Sequence, residues 1–186
     1  MASSQHQNTV ELYADDFVDS WWCIFFLPGA KKPFTGTLEV YSDKNPFNLK
    51  RVLSHRISFK DGKHHGVYEW FGNKGYLQRK DHYKNGNQHG VCEEFYENGK
   101  LMARERYENS QLHGVSEWFY KNGTLRERGH YKKGQRHGVY EEFYESGKIK
   151  LKEHYKSNQR HGFRELFDHN GKLYLRTQYK KDKIQN

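Results

Sequence analysis

A repeat of 24 residues governs the last two thirds of this chain. The dipeptide His-Gly recurs at this spacing with no insertion or deletion between copies. Its glycines are Gly66, Gly90, Gly114, Gly138 and Gly162. A fixed period of this length indicates an architecture in which each repeat packs only on its neighbours. The period therefore decides the fold class before any single residue does.

Other residue types keep the same period. Each copy has a glutamate, a phenylalanine two positions later, then a second glycine and a tyrosine. The glutamates are Glu69, Glu93, Glu117, Glu141 and Glu165. The phenylalanines are Phe71, Phe95, Phe119, Phe143 and Phe167. The second glycines are Gly75, Gly99, Gly123, Gly147 and Gly171, and the tyrosines are Tyr83, Tyr107, Tyr131, Tyr155 and Tyr179.

Each copy predicts two short β-strands joined by turns. The segment after His-Gly is aromatic and β-branched, as in residues 115–120, and carries no helical period. We predict a three-residue loop at residues 121–123, a type I turn that ends with Gly123 in the left-handed conformation. The expected fold is all-β, a single-layer antiparallel meander of hairpin repeats that forms an elongated, twisted open sheet.

The period also divides the chain. We interpret residues 65–186 as five repeats, namely 65–88, 89–112, 113–136, 137–160 and 161–186, and residues 35–64 as a degenerate first repeat with a lengthened loop. Residues 1–34 stand apart and hold a short apolar run. This segment either caps the first edge of the sheet or docks a partner. Its candidate docking residues are Trp21, Trp22, Phe25 and Phe26.

Parity assigns each column of the repeat to a face, because side chains of a strand alternate between faces. The three-residue loop predicts the glutamates on the apolar face with the phenylalanines and tyrosines, where tyrosine hydroxyls or turn amides must bind them. The opposite face is predicted to carry Trp70, Trp118 and a cationic row. The row consists of Lys80, Arg104, Arg128, Lys152 and Arg176.

This cationic row bears on the choice of partner. The formal net charge is +9, and a basic face with aromatic rings suits single-stranded nucleic acid or anionic headgroups. A solvated face that keeps an open sheet soluble is the alternative. Glutamates at positions 94 and 142 interrupt the face, and cross-strand pairing would neutralise part of it.

Catalytic, metal and cofactor sites are not expected. Equivalent histidines would lie two strands apart, roughly 9.6 Å, whereas zinc ligands lie about 2.1 Å from the ion. Each histidine is instead expected to shape the turn before its glycine. The five equivalent glutamates recur without an accompanying nucleophile, and no phosphate-binding loop is present. We therefore expect a non-enzymatic protein without cofactor.

Cysteines and the N-terminus bear on the compartment. Cys23 and Cys92 lie in unrelated contexts and form no disulfide framework. The first residues lack the features of a secretory signal, and the apolar run of residues 21–27 is too short to span a bilayer. We expect synthesis in a reducing cytoplasm, no secretion and no transmembrane segment.

The full motif resembles a known family. Gly-x-x-Glu-x-Phe-Tyr-x-Asn-Gly-x-Leu, closed by Tyr-Lys-x-Gly-x-x-His-Gly, is similar to the MORN repeat (membrane occupation and recognition nexus) in its longer variant form, over residues 65–180. Such repeats also resemble those of a bacterial antitoxin family and of large DNA viruses that infect amoebae. The resemblance implies a scaffold for protein-protein interaction and, in a virus, a component of the particle within the virion or host cytoplasm.

Three partner classes follow from these observations. Protein partners are expected first, and the open edges of a meander favour a homo-oligomer or a larger assembly. Anionic lipid or nucleic acid on the basic face is an alternative. Neutralisation of a toxin, implied by the bacterial family, is another.

Overall fold

The computed structural model describes residues 9–13, 25–27, 29–41 and 51–185. These residues form 17 strands and no helix, which confirms the predicted all-β antiparallel meander. The chain divides into two compact units, Met1–Gly90 and Val91–Asn186. Trp21 and Trp22 lie outside the described residues.

The first unit contains the hairpins that lead into the repeats. Its strands are β1 Thr9–Tyr13, β2 Gly36–Tyr41, β3 Leu53–Lys60, β4 Lys63–Phe71, β5 Leu77–Lys84 and β6 Asn87–Gln88. Strands β2 to β5 pair antiparallel in chain order, and β6 pairs with the end of β5. Strand β1 pairs with β2 in parallel, an arrangement that the sequence did not predict.

The second unit holds the remaining repeats. Its strands are β7 Gly90–Phe95, β8 Leu101–Glu108, β9 Gln111–Leu112, β10 Gly114–Phe119, β11 Leu125–Lys132, β12 Gln135–Phe143, β13 Ile149–Lys156, β14 Gln159–Arg160, β15 Gly162–Phe167, β16 Leu173–Lys180 and β17 Lys183–Ile184. The long strands from β8 onward pair antiparallel in chain order. The two-residue strands β9, β14 and β17 pair with the strand that precedes them.

The predicted three-residue loop is confirmed. The amide of Tyr120 donates to the carbonyl of Thr124 over 2.8 Å, and the amide of Gly123 donates to the carbonyl of Tyr120 over 2.8 Å. Gly123 has a φ of +95°, in the left-handed region that favours glycine. The side-chain oxygen of Asn122 accepts a hydrogen bond from the amide of Thr124 and braces the loop.

Replacement of this loop glycine tests the backbone conformation alone. A side chain at Gly123 would meet only the distal carbon of Lys100, at 3.8 Å. We therefore expect Gly123→Val to lower the free energy of unfolding by about 1–2 kcal/mol, the cost of a left-handed branched residue. Urea unfolding followed by circular dichroism measures this loss. An unchanged midpoint would contradict the positive φ.

A β-bulge corrects the predicted register. Phe119 pairs with Leu125 but Trp118 pairs with Glu127, so Arg126 is an extra residue on the return strand. The same irregularity occurs in four other hairpins, at Tyr41, Phe71, Phe143 and Phe167. One extra residue moves every later side chain of that strand to the opposite face of the sheet. The loop was predicted correctly and the register beyond it was wrong.

The repeated His-Gly forms a second irregularity and not a turn. Turns of two residues with positive φ precede it, as at Lys133 (φ +51°) and Gly134 (φ +75°). The amide of His161 then donates to the carbonyl of His154, and Gly162 has a φ of +122°. The His-Gly backbone therefore follows the turn, and His113 lies 3.4 Å from Glu108, which flanks the turn before its glycine. A role of each histidine in shaping that turn stays a prediction. The glycine is required because the backbone bulges at this point with a positive φ.

Burial is concentrated on one face of each unit. In the first unit the core consists of Phe34, Leu38, Val40, Ile57, Phe59, Tyr68 and Tyr83, with Val10, Phe25 and Leu27 packed against it. In the second unit the buried residues are Cys92, Ala103, Ser116, Tyr140, Leu151 and Glu153. Tyrosine and aliphatic side chains thus supply the apolar area that stabilises the sheet.

Tyrosine hydroxyls tie successive repeats together. The hydroxyls of Tyr96, Tyr120 and Tyr144 each donate to the carbonyl of the phenylalanine 23 residues later, over 2.6–2.8 Å. Each hydroxyl thereby provides a hydrogen-bond donor to the carbonyl of the last residue of a strand, next to the loop. The repeats of the second unit are therefore held in register by hydrogen bonds as well as by packing.

Candidate functional site

The cationic row of the first unit faces the glutamates. Strand pairing places Glu39 opposite Arg56 and Glu69 opposite both Arg56 and Lys80. The guanidinium of Arg56 lies 2.9 Å from each of the two carboxylates, and the ammonium of Lys80 lies 4.0 Å from Glu69. Cations and carboxylates therefore alternate across these strands. We call this arrangement, with its counterpart in the second unit, the charge ladder.

The second unit repeats the charge ladder. Arg104 lies 3.1 Å from Glu93, Arg128 lies 2.8 Å from Glu141, and Arg176 lies 3.2 Å from Glu165. Strand pairing also places Glu117 beside Arg104 and Arg128, and Lys152 beside Glu141 and Glu165. The glutamate of each strand thus lies opposite the cations of the adjacent strands and neutralises their charge. The row is an alternating pattern of charge and not a cationic stripe.

This pairing overturns two face assignments. The glutamates do not lie with the periodic tyrosines, since Glu69 pairs with Lys80 while Tyr83 pairs with Gly66. Trp70 pairs with Arg79, and Trp118 pairs with Glu127, so both rings lie on the face opposite the charge ladder. The physical reason is the bulge residue, which shifts the return strand by one position. We call the face with the buried tyrosines the tyrosine face.

Carboxylates do lie on the tyrosine face, but in other columns. Asp81 is 2% exposed, and one of its oxygens accepts from Arg79 over 2.7 Å. In the second unit the hydroxyl of Tyr107 donates to Glu105 over 2.8 Å, and that of Tyr155 donates to Glu153 over 2.7 Å. The expectation that tyrosine hydroxyls bind buried carboxylates therefore holds for carboxylates other than the predicted ones.

Guanidinium groups stack on the tyrosines of the second unit. Arg136 lies 4.4 Å from the ring centre of Tyr140 and 5.3 Å from that of Tyr155. Burial and a hydrogen bond to Glu127 raise the pKa of Tyr140, so its hydroxyl stays protonated and donates to that carboxylate over 2.7 Å. This surface is a fixed network of cations, rings and carboxylates. Its guanidinium, phenol and carboxylate groups contact one another and therefore serve packing.

Two histidines of the first unit, His55 and His64, are half-buried beside aromatic rings. The ring of His64 lies 4.8 Å from Phe59 and 5.2 Å from Tyr83, and His55 stacks on Trp70 at 6.4 Å. Removal from water disfavours the charged imidazole, so the pKa of His64 and the pKa of His55 both lie below the usual value. These rings contribute as neutral packing groups.

Acid should therefore destabilise the first unit. A lowered pKa in the folded state means that the unfolded chain binds more protons below its own pKa of about 6.5, so stability falls as pH decreases through and below that value. We expect a lower urea midpoint at about pH 5.5 than at about pH 7.5, with a smaller difference in His64→Phe. His161→Gln, an exposed change in the second unit, is the matched control. An equal pH effect in His64→Phe and the parent would contradict the assignment to His64.

The N-terminal aromatic residues have different environments. Phe25 stacks on Phe59 with ring centres 4.9 Å apart and meets Phe34 edge-on at 5.8 Å. Its amide donates to the carbonyl of Gly62 over 2.7 Å. Phe26 is largely exposed. Phe25 is therefore part of the core of the first unit, and Phe26 remains a candidate contact.

The last two strands, β16 and β17, expose apolar side chains that sequence reasoning missed. Leu173, Tyr174, Leu175 and Ile184 are all exposed, although they continue columns that are more buried in earlier repeats. The signal available in the sequence was their position in the final copy of the repeat. A cluster of this kind indicates an interaction surface.

Lysines of the second unit lie at the two-residue turns. Lys132 and Lys133 are exposed beside one turn, and Lys180 and Lys181 beside another. These cations lie at the end of the strands and outside the charge ladder. They are therefore the better candidates for contact with an anionic surface.

Within the described ranges, no cluster of histidine, cysteine, aspartate or glutamate has the arrangement of a metal site. A shallow depression of about 480 Å³ in the first unit is lined by residues that include Val10, Leu27, Ala30 and Phe34. The described residues also contain no helix with the length and apolarity needed to cross a bilayer.

Comparison with known families agrees with the geometry. Three consecutive stretches, residues 88–109, 112–133 and 136–157, match the family described as MORN repeat variant. Each of these stretches is similar to a MORN-variant repeat. No curated protein matches the chain. The matched stretches all lie between residues 88 and 157.

Solved structures resemble a part of this chain. A mutant of S. aureus TarM in complex with Fondaparinux, alpha-GlcNAc-glycerol and UDP is 14% identical, with a TM-score of 0.35, over 52% of this chain and 19% of that chain. A crystal structure of TarM is 17% identical, with a TM-score of 0.33, over 50% of this chain and 20% of that chain. The chain therefore spans about a fifth of the length of these proteins. Similarity at this level carries no argument about activity.

Proposed function

We propose that this protein is a non-catalytic repeat scaffold that binds protein partners. The observation that carries the proposal is the charge ladder, in which the cations at positions 56, 104, 128 and 176 lie 2.8–3.2 Å from carboxylates. Paired cations are poor ligands for phosphates, because an incoming phosphate would have to displace a carboxylate. MORN repeats are interaction modules for proteins or membrane lipid, and the ladder favours the first of these classes.

A non-catalytic role follows from the same contacts. Four of the five recurring glutamates, Glu69, Glu93, Glu141 and Glu165, contact arginine or lysine, and Glu117 lies opposite two arginines. The buried carboxylates Asp81 and Glu153 are bound to arginine or tyrosine. General acid-base catalysis requires a carboxyl group that is accessible to substrate and whose proton is exchanged in the reaction. Carboxylates held in this way serve packing and register.

Charge substitution tests the choice between partner classes. Arg128→Glu places three carboxylates side by side with Glu117 and Glu141, and we expect a loss of about 1–2 kcal/mol in the free energy of unfolding. Exchange of the pair, Arg128→Glu with Glu141→Arg, should recover part of this loss. Recovery is incomplete because Glu117 and Lys152 still flank the exchanged charges.

Binding assays complete this test. Affinity capture from the native source at low and high salt should retain a defined set of proteins at high salt. The fraction of protein that sediments with vesicles of phosphatidylserine and phosphatidylcholine should be the same for the parent and for the exchanged pair. Vesicle binding that is lost in the exchanged pair, with the fold intact and no protein retained, would overturn the proposal.

Anionic surfaces remain a second candidate on one observation, the exposed lysines at the turns. If vesicles or single-stranded DNA bind, the substitution of Lys132 and Lys133 by glutamate should weaken binding, and the salt dependence should become less steep. The exchanged pair at residues 128 and 141 is the matched control, because it preserves net charge. Equal weakening by both variants would contradict the turn as the site.

Two narrower roles are proposed on resemblance alone. A component of a large DNA virus particle would be found by mass spectrometry in purified virions and would be absent from the soluble fraction. A toxin antagonist would have a toxic neighbouring open reading frame whose effect is suppressed by co-expression. Both roles are forms of the protein-binding scaffold.

A further inference from the structure

We propose that the two-residue turns of the second unit bind an acidic, proline-rich segment of a partner protein in which a carboxylate recurs at every third residue. The turns concerned are those at residues 132–135 and 156–159, and we call Lys132, Lys133 and Lys156 the turn cations. The proposal goes beyond the scaffold function, because it adds a contact that salt would weaken and that holds or fails independently of the scaffold.

The turn cations are exposed and have no acidic neighbour. Among the residues that the structure describes, the ammonium groups of Lys132, Lys133 and Lys156 take part in no ion pair. Residues 130–138 and 154–162, which form the two turns and the strand ends beside them, contain no aspartate or glutamate. Each turn is followed by a further hairpin, so this exposure is a property of the turns themselves.

The opposite ends of the hairpins carry a different balance of charge. The loops at residues 96–100 and 144–148 each hold one glutamate and one lysine. In the middle of the strands, the cations of the charge ladder face carboxylates, as Arg128 faces Glu141 at 2.8 Å. The excess of positive charge in these repeats is therefore concentrated at the turns, where it favours an acidic partner.

Hydrogen bonds between successive repeats hold the turns at a fixed spacing. The amide of Gly134 donates to the carbonyl of Leu112 over 2.9 Å, and the amide of Asn158 donates to the carbonyl of Arg136 over 2.9 Å. The amide of Arg136 donates in return to the side-chain oxygen of Asn158 over 2.7 Å. The backbone beneath the turn cations is therefore ordered before a partner binds, which lowers the entropic cost of association.

This spacing specifies the conformation of the occupant. Equivalent residues of successive repeats lie two strands apart, roughly 9.6 Å. A polyproline II segment has three residues per turn and rises about 3.1 Å per residue, so every third side chain points the same way at intervals of about 9.3 Å. A β-strand directs residues three apart to opposite faces, and an α-helix repeats only after seven residues, about 10.5 Å. A polyproline II segment with a carboxylate at every third residue therefore matches Lys132 and Lys156.

The preceding repeat sets one end of the site. Glu108 occupies the position equivalent to Lys132 and Lys156, and its carboxylate lies 3.4 Å from the imidazole of His113. A carboxylate of the partner would be repelled there. Lys180 has the same position one repeat after Lys156 and is exposed. The acidic segment is therefore expected to lie over the later turns and to stop short of Glu108.

Other anionic partners fit the turns less well. Nucleic acid in single strands binds through exposed rings on which its bases stack. The tyrosines beside the turns, Tyr131 and Tyr155, are half-buried, and Arg136 lies 5.3 Å from the ring centre of Tyr155. A fluid lipid surface responds to total charge and gains nothing from a fixed spacing of cations. An acidic protein segment uses both the charge and the spacing.

Fluorescence anisotropy of a labelled peptide tests the proposal with the full chain. The probe is a proline-rich peptide of about twelve residues with glutamate at every third position, which favours polyproline II. We expect saturable binding that weakens as salt rises. A peptide of the same composition with its glutamates clustered should bind at least about threefold more weakly. Equal binding of the two peptides would overturn the proposal.

Charge variants at the turns locate the site. The double variant Lys132→Glu with Lys156→Glu should raise Kd more than about tenfold, because two attractive contacts become repulsive. Glu108→Lys extends the row of cations by one repeat and should lower Kd about two- to fivefold. An unchanged Kd in the double variant, or weaker binding by Glu108→Lys, would contradict the site.

The matched control changes the same charge at the other end of the hairpins. The double variant Lys121→Glu with Lys148→Glu alters two exposed loop lysines and should leave Kd within about twofold of the parent, since neither lysine lies at a turn. Thermal unfolding of the two double variants should agree, which excludes loss of fold as the cause of weaker binding. Equal weakening by both double variants would show attraction to net charge alone and would overturn the turn site.

Other outcomes separate the partner classes and the two functions. Vesicles of phosphatidylserine and phosphatidylcholine, or a thymidine oligonucleotide, would replace the acidic segment if their binding is lost in the turn variant while the peptide does not bind. Proteins that the turn variant still captures at high salt would support the scaffold function whether or not the peptide binds. Peptide binding at the turns together with no captured protein would support the turn site and refute the scaffold.

Discussion

Gly162→Val should destabilise the second unit by about 3 kcal/mol, more than Gly123→Val, because two costs add there. Gly162 has a φ of +122°, which a branched side chain adopts with strain. A Cβ atom at this position would also lie 3.0 Å from the Cβ of His154 on the paired strand. Relief of this contact requires the two strands to separate, since neither atom belongs to a flexible end.

The measurement is urea unfolding with hydrogen exchange in β13 and β15, which localises the loss. Gly134→Asn is the matched control, because Gly134 also has a positive φ but no atom lies within 4 Å of its added Cβ. Asn158 occupies the equivalent turn position one repeat later with a φ of +65°. The control should therefore change stability by less than about 0.5 kcal/mol. A loss at Gly134 as large as that at Gly162 would contradict the role of the close contact.

The period, the strands and the turns could be predicted from the sequence because each is a local property. Asn122 and Gly123 define a loop through their own conformational preferences, and aromatic alternation defines the strands next to it. The glycine of each His-Gly was also visible. Its role in a bulge was not, since a bulge depends on the strand across from it.

The faces could not be predicted because one bulged residue reverses parity. Arg126 is an ordinary polar residue, and nothing in its identity shows that it is the extra residue between Leu125 and Glu127. The sequence nevertheless held a useful signal. A register that places the recurring glutamates beside the recurring arginines and lysines pairs the two charges. The predicted register instead buried the glutamates on the apolar face and exposed the cations on the opposite face.

This reversal changes the functional interpretation of the surface. With the predicted register, Arg104 and Arg128 would form a cationic face suited to phosphates. With the observed register each has a carboxylate within 3.1 Å, and the exposed lysines lie at the turns. Exposed apolar residues are found in both units, at Phe26, Trp70, Val115, Leu173, Tyr174, Leu175 and Ile184.

Leu38→Ala should destabilise the first unit by about 2–5 kcal/mol, the range for removal of a fully buried leucine side chain. Leu38 is 0% exposed and lies in the core with Ile57, its partner on β3, and with Phe34. The surrounding rings are held by strand pairing on one side and by Phe25 on the other, so the cavity cannot close by a small shift.

The matched control for Leu38→Ala is Leu175→Ala, which removes the same atoms from the exposed edge of β16. We expect it to cost less than about 1 kcal/mol, since most of that side chain is already in contact with water. Urea unfolding of the two variants beside the parent gives both values. Equal losses would mean that Leu175 is covered in solution, for instance by self-association. A large loss for Leu38 with a small loss for Leu175 would show that burial in the core of the first unit, and not leucine content as such, determines stability.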